Sequence, residues 1–185
     1  MGAQCHAARP GQLLALTMPL EGGRGAFPTD ALVLFVGPSG AGKTTWAAER
    51  FDPRDVLESD AFRALVAGDA ADQSANADAF RILHATAAVR LKRGLFTVVD
   101  ATNLTPRARR SLVRLAERFG RPAVAVAFAV SLQRCLAQTA VRADRSVPES
   151  VVRRHHEEMQ AAMRALPGEG YRAILTLLVV DIPPS

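Results

Sequence analysis

Apolar positions along this chain follow two different periods. Runs at 31–36, 95–100, 122–130 and 173–180 are apolar at nearly every position, and a shorter, more polar stretch at 55–59 has the same extended character. A strand with one wet face alternates apolar and polar, whereas a strand covered on both faces does not. These runs therefore predict five strands of a sheet buried on both sides, which is the habit of parallel sheets. Between them, apolar residues recur at helical spacing. Phe80, Leu83, Ala87, Ala88 and Leu91 share a face within 75–93, as do Leu132, Cys135, Leu136 and Thr139 within 131–141. Further helices are expected at 43–50, from 60 to a stop at Gly68, at 106–119, and up to about 166. Pro53, Gly94 and Gly120 punctuate the pattern, Thr105-Pro106 opens a helix, and Ser146 with Glu149 has capping-box spacing.

Strands that alternate with helices predict a doubly wound, mostly parallel, five-stranded three-layer α/β/α sandwich. Residues 1–29 carry no period and are expected to form a flexible tail ahead of one domain at 30–185. His84 lies on the apolar face of its helix, where a packing role is the simpler expectation and a catalytic one the alternative.

The stretch Gly37-Pro38-Ser39-Gly40-Ala41-Gly42-Lys43-Thr44-Thr45 joins the first strand to the first helix. It fits the pattern GxxxxGK followed by Ser or Thr, in the strand-before, helix-after context that gives the pattern its meaning. Its glycines allow backbone N–H groups to close around phosphate oxygens. The helix start adds its dipole, Lys43 a mobile positive charge, and the Thr44 hydroxyl a ligand for Mg²⁺. The expectation is a P-loop that binds a nucleoside triphosphate.

Composition adds little that is specific. With 49% apolar and 22% charged residues, the chain reads as an ordinary globular domain. Cys5 and Cys135 make neither a disulfide framework nor a metal cluster, which suits a reducing, cytoplasmic setting. No apolar run reaches the roughly 18 residues of a membrane span, so no membrane partner is expected. Charge is uneven: residues 1–75 carry 6 basic and 9 acidic side chains, and residues 76–185 carry 17 and 9. A basic second half suits a phosphate-bearing partner, and equally a solvated helix surface such as Arg107, Arg109, Arg110, Arg114 and Arg118.

Two carboxylates follow strand ends. Asp60 lies just past the second strand, either as a general base for an attacking hydroxyl or as a helix N-cap. Asp100 ends the third, where a carboxylate beside a phosphate loop commonly holds Mg²⁺ through water; the alternative is again a cap. Arg142 and Arg145 lie in a helix–helix junction, at about 138–150, that would be a lid in a nucleotide kinase; they are otherwise surface charge.

The order of these segments is more specific than any one of them. The phosphate loop is followed by Glu58-Ser59-Asp60 with Arg63, then Asp72-Gln73, His84, Asp100-Ala101-Thr102-Asn103, Arg142-Ala143-Asp144-Arg145, and Val152-Arg153-Arg154-His155. Over about 31–180 this resembles the 5′-kinase domain of bacterial polynucleotide kinase-phosphatase, within a wider group of P-loop kinases. The resemblance implies ATP and Mg²⁺ as cofactors, with Lys43 and Thr44 as phosphate lysine and metal-binding hydroxyl. It implies Asp60 as the base for a 5′-OH, Arg63 as the grip on an acceptor-strand phosphate, and Arg142 and Arg145 as lid arginines. Asp100 and Asn103 fall at the phosphate site. The phosphatase and ligase domains of the larger enzyme have no counterpart in this sequence.

Three function classes follow. The leading one is an ATP-dependent kinase for the 5′-OH end of RNA or DNA. The second is a kinase for a small hydroxyl substrate (an antibiotic, sugar or nucleoside), and the third a non-catalytic ATP-binding module. The set of Asp60, Asp100 and Arg142 disfavours the third, because a pure binder has no need of a hydroxyl-facing base.

Overall fold

The computed structural model describes residues 15–16, 23–141 and 147–179. Its strands are β1 (Ala15–Leu16), β2 (Leu32–Val36), β3 (Val56–Glu58), β4 (Thr97–Asp100), β5 (Ala123–Val130) and β6 (Ala173–Val179). They form one sheet in the order β1-β6-β5-β2-β4-β3, with every pairing parallel. The helices are α1 (Lys43–Arg50), α2 (Ser59–Ala67), α3 (Asn76–Lys92), α4 (Pro106–Arg118), α5 (Leu132–Ala140) and α6 (Glu149–Ala165).

The five expected strands are all present. The central one, β2, is fully buried along its length, as a strand with helices on both faces must be. Val33 and Phe35 pack with Ala47 of α1 and Cys135 of α5. Leu32 and Leu34 face the other way, onto Leu83 and Leu91 of α3 and Leu112 of α4. Met159 and Ala162 of α6 join that second side around Val36 and Ala125. The result is a three-layer α/β/α sandwich. Among the described residues, no helix is long and apolar enough to cross a membrane.

Within residues 1–29, expected to form a flexible tail, the described residues are built into the fold. Ala15 and Leu16 pair with Ile174 and Leu175 as a sixth, edge strand. Arg24–Ala26 form a 3₁₀ turn, and Phe27 is buried with its ring 5.7 Å from Phe51 and 6.0 Å from Phe96. One aromatic anchor gives no periodic signal, yet it holds the entry to the domain. Arg24 reinforces it with an ion pair to Asp55 at 3.0 Å.

Three smaller local readings are revised. Asp55 belongs to a 3₁₀ turn, Pro53–Asp55, rather than to the strand, and is clamped by Arg24 and by Arg90 Nη2 at 2.8 Å. Asp60 is not an N-cap, because α2 begins at Ser59 and places Asp60 in its first turn. The capping box at Ser146 and Glu149 does not describe the start of α6. Pro148 is the cap position, and Glu149 instead accepts from Arg153 Nε at 2.8 Å; Ser146 lies outside the described residues. Thr105, by contrast, caps α4 as expected, accepting from the Ala108 amide.

The largest revision is Arg109, expected on a solvated helix face and found fully buried. Its guanidinium makes a bidentate pair with Glu169 at 2.6 and 2.7 Å and donates to the Asn103 and Leu104 carbonyls at 3.1 and 2.6 Å. A charge that deep is tolerated because it is paired and its donors are used.

Candidate active site

The phosphate loop leaves the carboxyl end of β2, the edge at which open α/β sheets bind ligands. Its path is set by close packing. A Cβ on Gly37 would lie 2.9 Å from Phe128 Cβ. Gly40 has φ +78°, and a Cβ there would lie 2.4 Å from the Cys135 carbonyl oxygen, so neither position has room for a side chain. Beneath the loop, Trp46 of α1 makes edge contacts with Phe35, Phe51 and Phe128 at 5.5–5.7 Å. These rings hold α1, and therefore its N-terminus, against the sheet.

Lys43 opens α1. It is buried, and its Nζ donates to the Pro38 and Gly37 carbonyls at 2.7 and 3.1 Å. Next to it, Thr44 Oγ1 donates to Asp100 Oδ2 at 2.7 Å. Asp100 ends β4 and is 5% exposed. The cap reading of Asp100 gives way to that of a carboxylate aimed at the loop, since Thr105 fills the cap position of α4.

A third carboxylate, Glu58, went unnoticed as a site residue in the sequence. It ends β3 directly in register with Asp100, and both line one cavity of about 680 Å³. Burial pushes its carboxyl up from the usual glutamate range, and the nearby Asp100 and Asp60 charges push the same way. A strand-end Glu in parallel register with a strand-end Asp is detectable once the strand pairing is known, and not before.

Asp60 and Arg63, one helical turn apart, both face this cavity. Arg63 is buried, and its fork is turned inward. Nε donates to the Ala70 carbonyl at 2.8 Å, Nη1 to Asn76 Oδ1 at 2.9 Å, and Nη2 to Asp60 Oδ1. It thereby ties the α2–α3 connection to the carboxylate that the sequence singled out as a base. Gln73, marked in the sequence only as part of the Asp72-Gln73 segment, and Asn76, not marked there, complete this wall.

Ser39, Gly40, Gly42, Lys43, Thr44, Thr45, Asp60, Arg63 and Asp100 all line the same cavity. Gly37, Pro38 and Ala41 form the buried underside of the loop. Asn103 is placed differently from the expectation of a substrate contact. It is 2% exposed with φ +46°, and its Nδ2 donates to the Phe35 carbonyl at 2.8 Å. It is a clamp between the end of β2 and the segment after β4. Its place at the phosphate site is architectural. His84 also lies away from the cavity: it is half-buried and its Nε2 is 3.3 Å from Ser111 Oγ, between α3 and α4. Arg142 and Arg145 lie outside the described residues. On the far wall, α6 contributes Arg154 and His155, which the sequence marks as part of the 152–155 segment without a role.

Residues 32–166 match a family model described as an AAA domain. The chain belongs to this AAA-domain family. No curated protein matches it. Among solved structures, it is similar to a chain of the Pnkp1/Rnl/Hen1 RNA repair complex, at TM-score 0.64 and 20% identity over 72% of this chain and 45% of that one. It is similar to a chain of the AvrRxo1-ORF1:-ORF2 structure with ATP, at TM-score 0.58 and 16% identity over 74% and 49%. It is also similar to shikimate kinase from Acinetobacter baumannii in complex with shikimate, at TM-score 0.51 and 21% identity over 85% and 88%. The chain spans less than half the length of the first two. At these identities the likeness is one of fold, a P-loop kinase-like fold, and the AAA-domain family member described here shares it.

The donor set around Thr44 fits Mg²⁺. Among the described residues there is no group of three or more His, Cys, Asp or Glu side chains converging on a point. One hydroxyl and one carboxylate is the sparse protein contribution that suits an ion completed by water and phosphate oxygens.

Proposed function

We propose that this chain is an ATP-dependent kinase that transfers the γ-phosphoryl group to a hydroxyl, with the 5′-OH end of RNA or DNA as its leading acceptor. One observation carries the kinase reading: Lys43, Thr44 and Asp100 share a single cavity with Asp60. Phosphate-holding groups and a carboxylate base thus address the same space. Lys43 exchanges the loop carbonyls for β- and γ-phosphate oxygens, while the loop amides and the N-terminus of α1 hold the rest of the triphosphate. Thr44 and, through water, Asp100 would hold Mg²⁺, which would supply neutralisation of phosphate charge. Asp60 orients the acceptor hydroxyl and takes its proton as the oxygen bonds to phosphorus and the bond to the ADP oxygen breaks. In this reading Arg142 and Arg145 stabilise charge on the transferring group.

The nucleic-acid acceptor is supported by the order of motifs in the sequence and by fold likeness to a chain of an RNA repair complex. A second reading, a small hydroxyl acceptor, is favoured by one observation: all three nitrogens of Arg63 are engaged within the protein. An arginine spent on Asp60, Ala70 and Asn76 has less to offer an acceptor-strand phosphate. γ-labelled ATP offered with 5′-OH RNA, 5′-OH DNA and a panel of small alcohols separates the two. Label on the polynucleotides supports the first reading, and label on small alcohols alone replaces it with the second. Label on none of them, with ATP still bound, returns the chain to the class of ATP-binding modules.

A further inference from the structure

Two helices of one hairpin touch the phosphate loop at consecutive residues. From α5, the Cys135 carbonyl and Thr139 Cγ2 close over Gly40, at 2.4 and 3.0 Å from where a Cβ would be. From α6, His155 Nδ1 lies 3.2 Å from Ser39 Oγ, a hydrogen-bonded pair 116 residues apart in sequence. Ser39 is 8% exposed, and both residues line the cavity. The helices α5 and α6 pack on each other.

We propose that His155 is a positioning residue that couples the α5–α6 hairpin to the phosphate loop through Ser39. Nucleotide binding and the packing of α5 and α6 against the loop are thereby linked. The Gly40 contact is steric and sets only how near α5 lies. The Ser39–His155 contact is directional, so it holds the Ser39 side chain, and with it this part of the loop, in one orientation relative to α6. A loop that presents N–H groups to phosphate oxygens depends on such fixed peptide orientation. The inference rests on the nucleotide-binding reading above and adds to it a residue on a different helix.

The test is a double-mutant cycle in the full chain, with Ser39→Ala, His155→Leu and both together, and His155→Asn as the conservative variant. Asn can place a polar atom near the position of Nδ1. ATP affinity is read from the fluorescence of Trp46, the chain's single tryptophan, which sits two residues after Thr44. Each single variant should weaken ATP binding and raise the KM for ATP roughly 2–10-fold, the scale of one hydrogen bond. The double variant should be no worse than the poorer single, and His155→Asn should return to within about 2-fold of wild type. Additive losses, unchanged ATP affinity, or an Asn variant as impaired as Leu would overturn the proposal. If His155→Leu does not fold, Ser39→Ala and His155→Asn carry the test. Lys43→Ala separates the two levels. If it loses ATP binding while the His155 variants do not, only the coupling fails; if it retains ATP, the nucleotide reading itself fails.

Discussion

Thr44 Oγ1 donates to Asp100 Oδ2 at 2.7 Å, joining the first turn of α1 to the end of β4 across 56 residues. This bond points the hydroxyl and the carboxylate at the same place, beside the mouth of the phosphate loop. Asp100→Asn keeps the shape and removes the charge. The Mg²⁺ concentration for half-maximal activity should rise about 10–100-fold, the cost seen when an outer-sphere partner of a metal is lost. Activity measured across a Mg²⁺ titration checks this, and an unchanged midpoint would remove Asp100 from the metal's surroundings.

Asp60→Asn should leave ATP binding intact and lower turnover by about 10²–10⁴-fold, the usual range for a general base. The structure places Asp60 inside the first turn of α2 rather than at its cap, so loss of an N-cap gives no competing account of such a fall in turnover. A variant with near-normal turnover would sink the base assignment.

Arg63→Ala removes the group that holds Asp60 Oδ1, so kcat/KM should fall on any acceptor. On the polynucleotide reading the fall is larger for a 5′-OH nucleoside 3′-phosphate than for the matching nucleoside. The excess shrinks in raised salt, where the wild-type phosphate contact is itself screened. Equal losses on the two acceptors would transfer the assignment to a small hydroxyl substrate and leave Arg63 as the residue that orients Asp60.

Glu169→Ala strands the Arg109 guanidinium in the interior. Breaking a buried pair by removing one partner costs about 3–5 kcal/mol. For a domain of this size that is roughly 6–20 °C in Tm. Thermal unfolding by circular dichroism measures it. A shift of a degree or less would mean that the Asn103 and Leu104 carbonyls suffice for Arg109.

Glu58→Gln should make the ligand-free protein more stable at neutral pH. The carboxyl is held above its ordinary range in the folded state by burial, then by Asp100 and Asp60. Its folded pKa is therefore raised over the unfolded one. No penalty exists below the unfolded value, where both states are protonated; it builds as pH rises from the unfolded value through the folded one and is constant above that. The gap in Tm between variant and wild type should open with rising pH and close on acidification. A gap that does not vary with pH would refute the electrostatic cause.

What the sequence by itself determined is what repeats locally or sits at a fixed spacing. The sheet and its flanking helices were legible because burial on two faces and burial on one leave different periods in the chain. The phosphate loop was legible because its chemistry is contained in nine consecutive residues. That Asp60 and Asp100 would lie at one edge was legible because the strand ends of a parallel sheet share it. Tertiary structure alone decided where separate segments meet. Glu58 became a third carboxylate through β3–β4 register, and Arg63 turned inward because Ala70 and Asn76 happened to lie within its reach. Arg109 left the solvent for Glu169, 60 residues on; Asn103 became a clamp on Phe35; Phe27 sealed an entry that had no period; and His155 met Ser39. None of these contacts has a local signature, because a hydrogen bond or ion pair depends on distance in space. The chain spells out only distance in sequence.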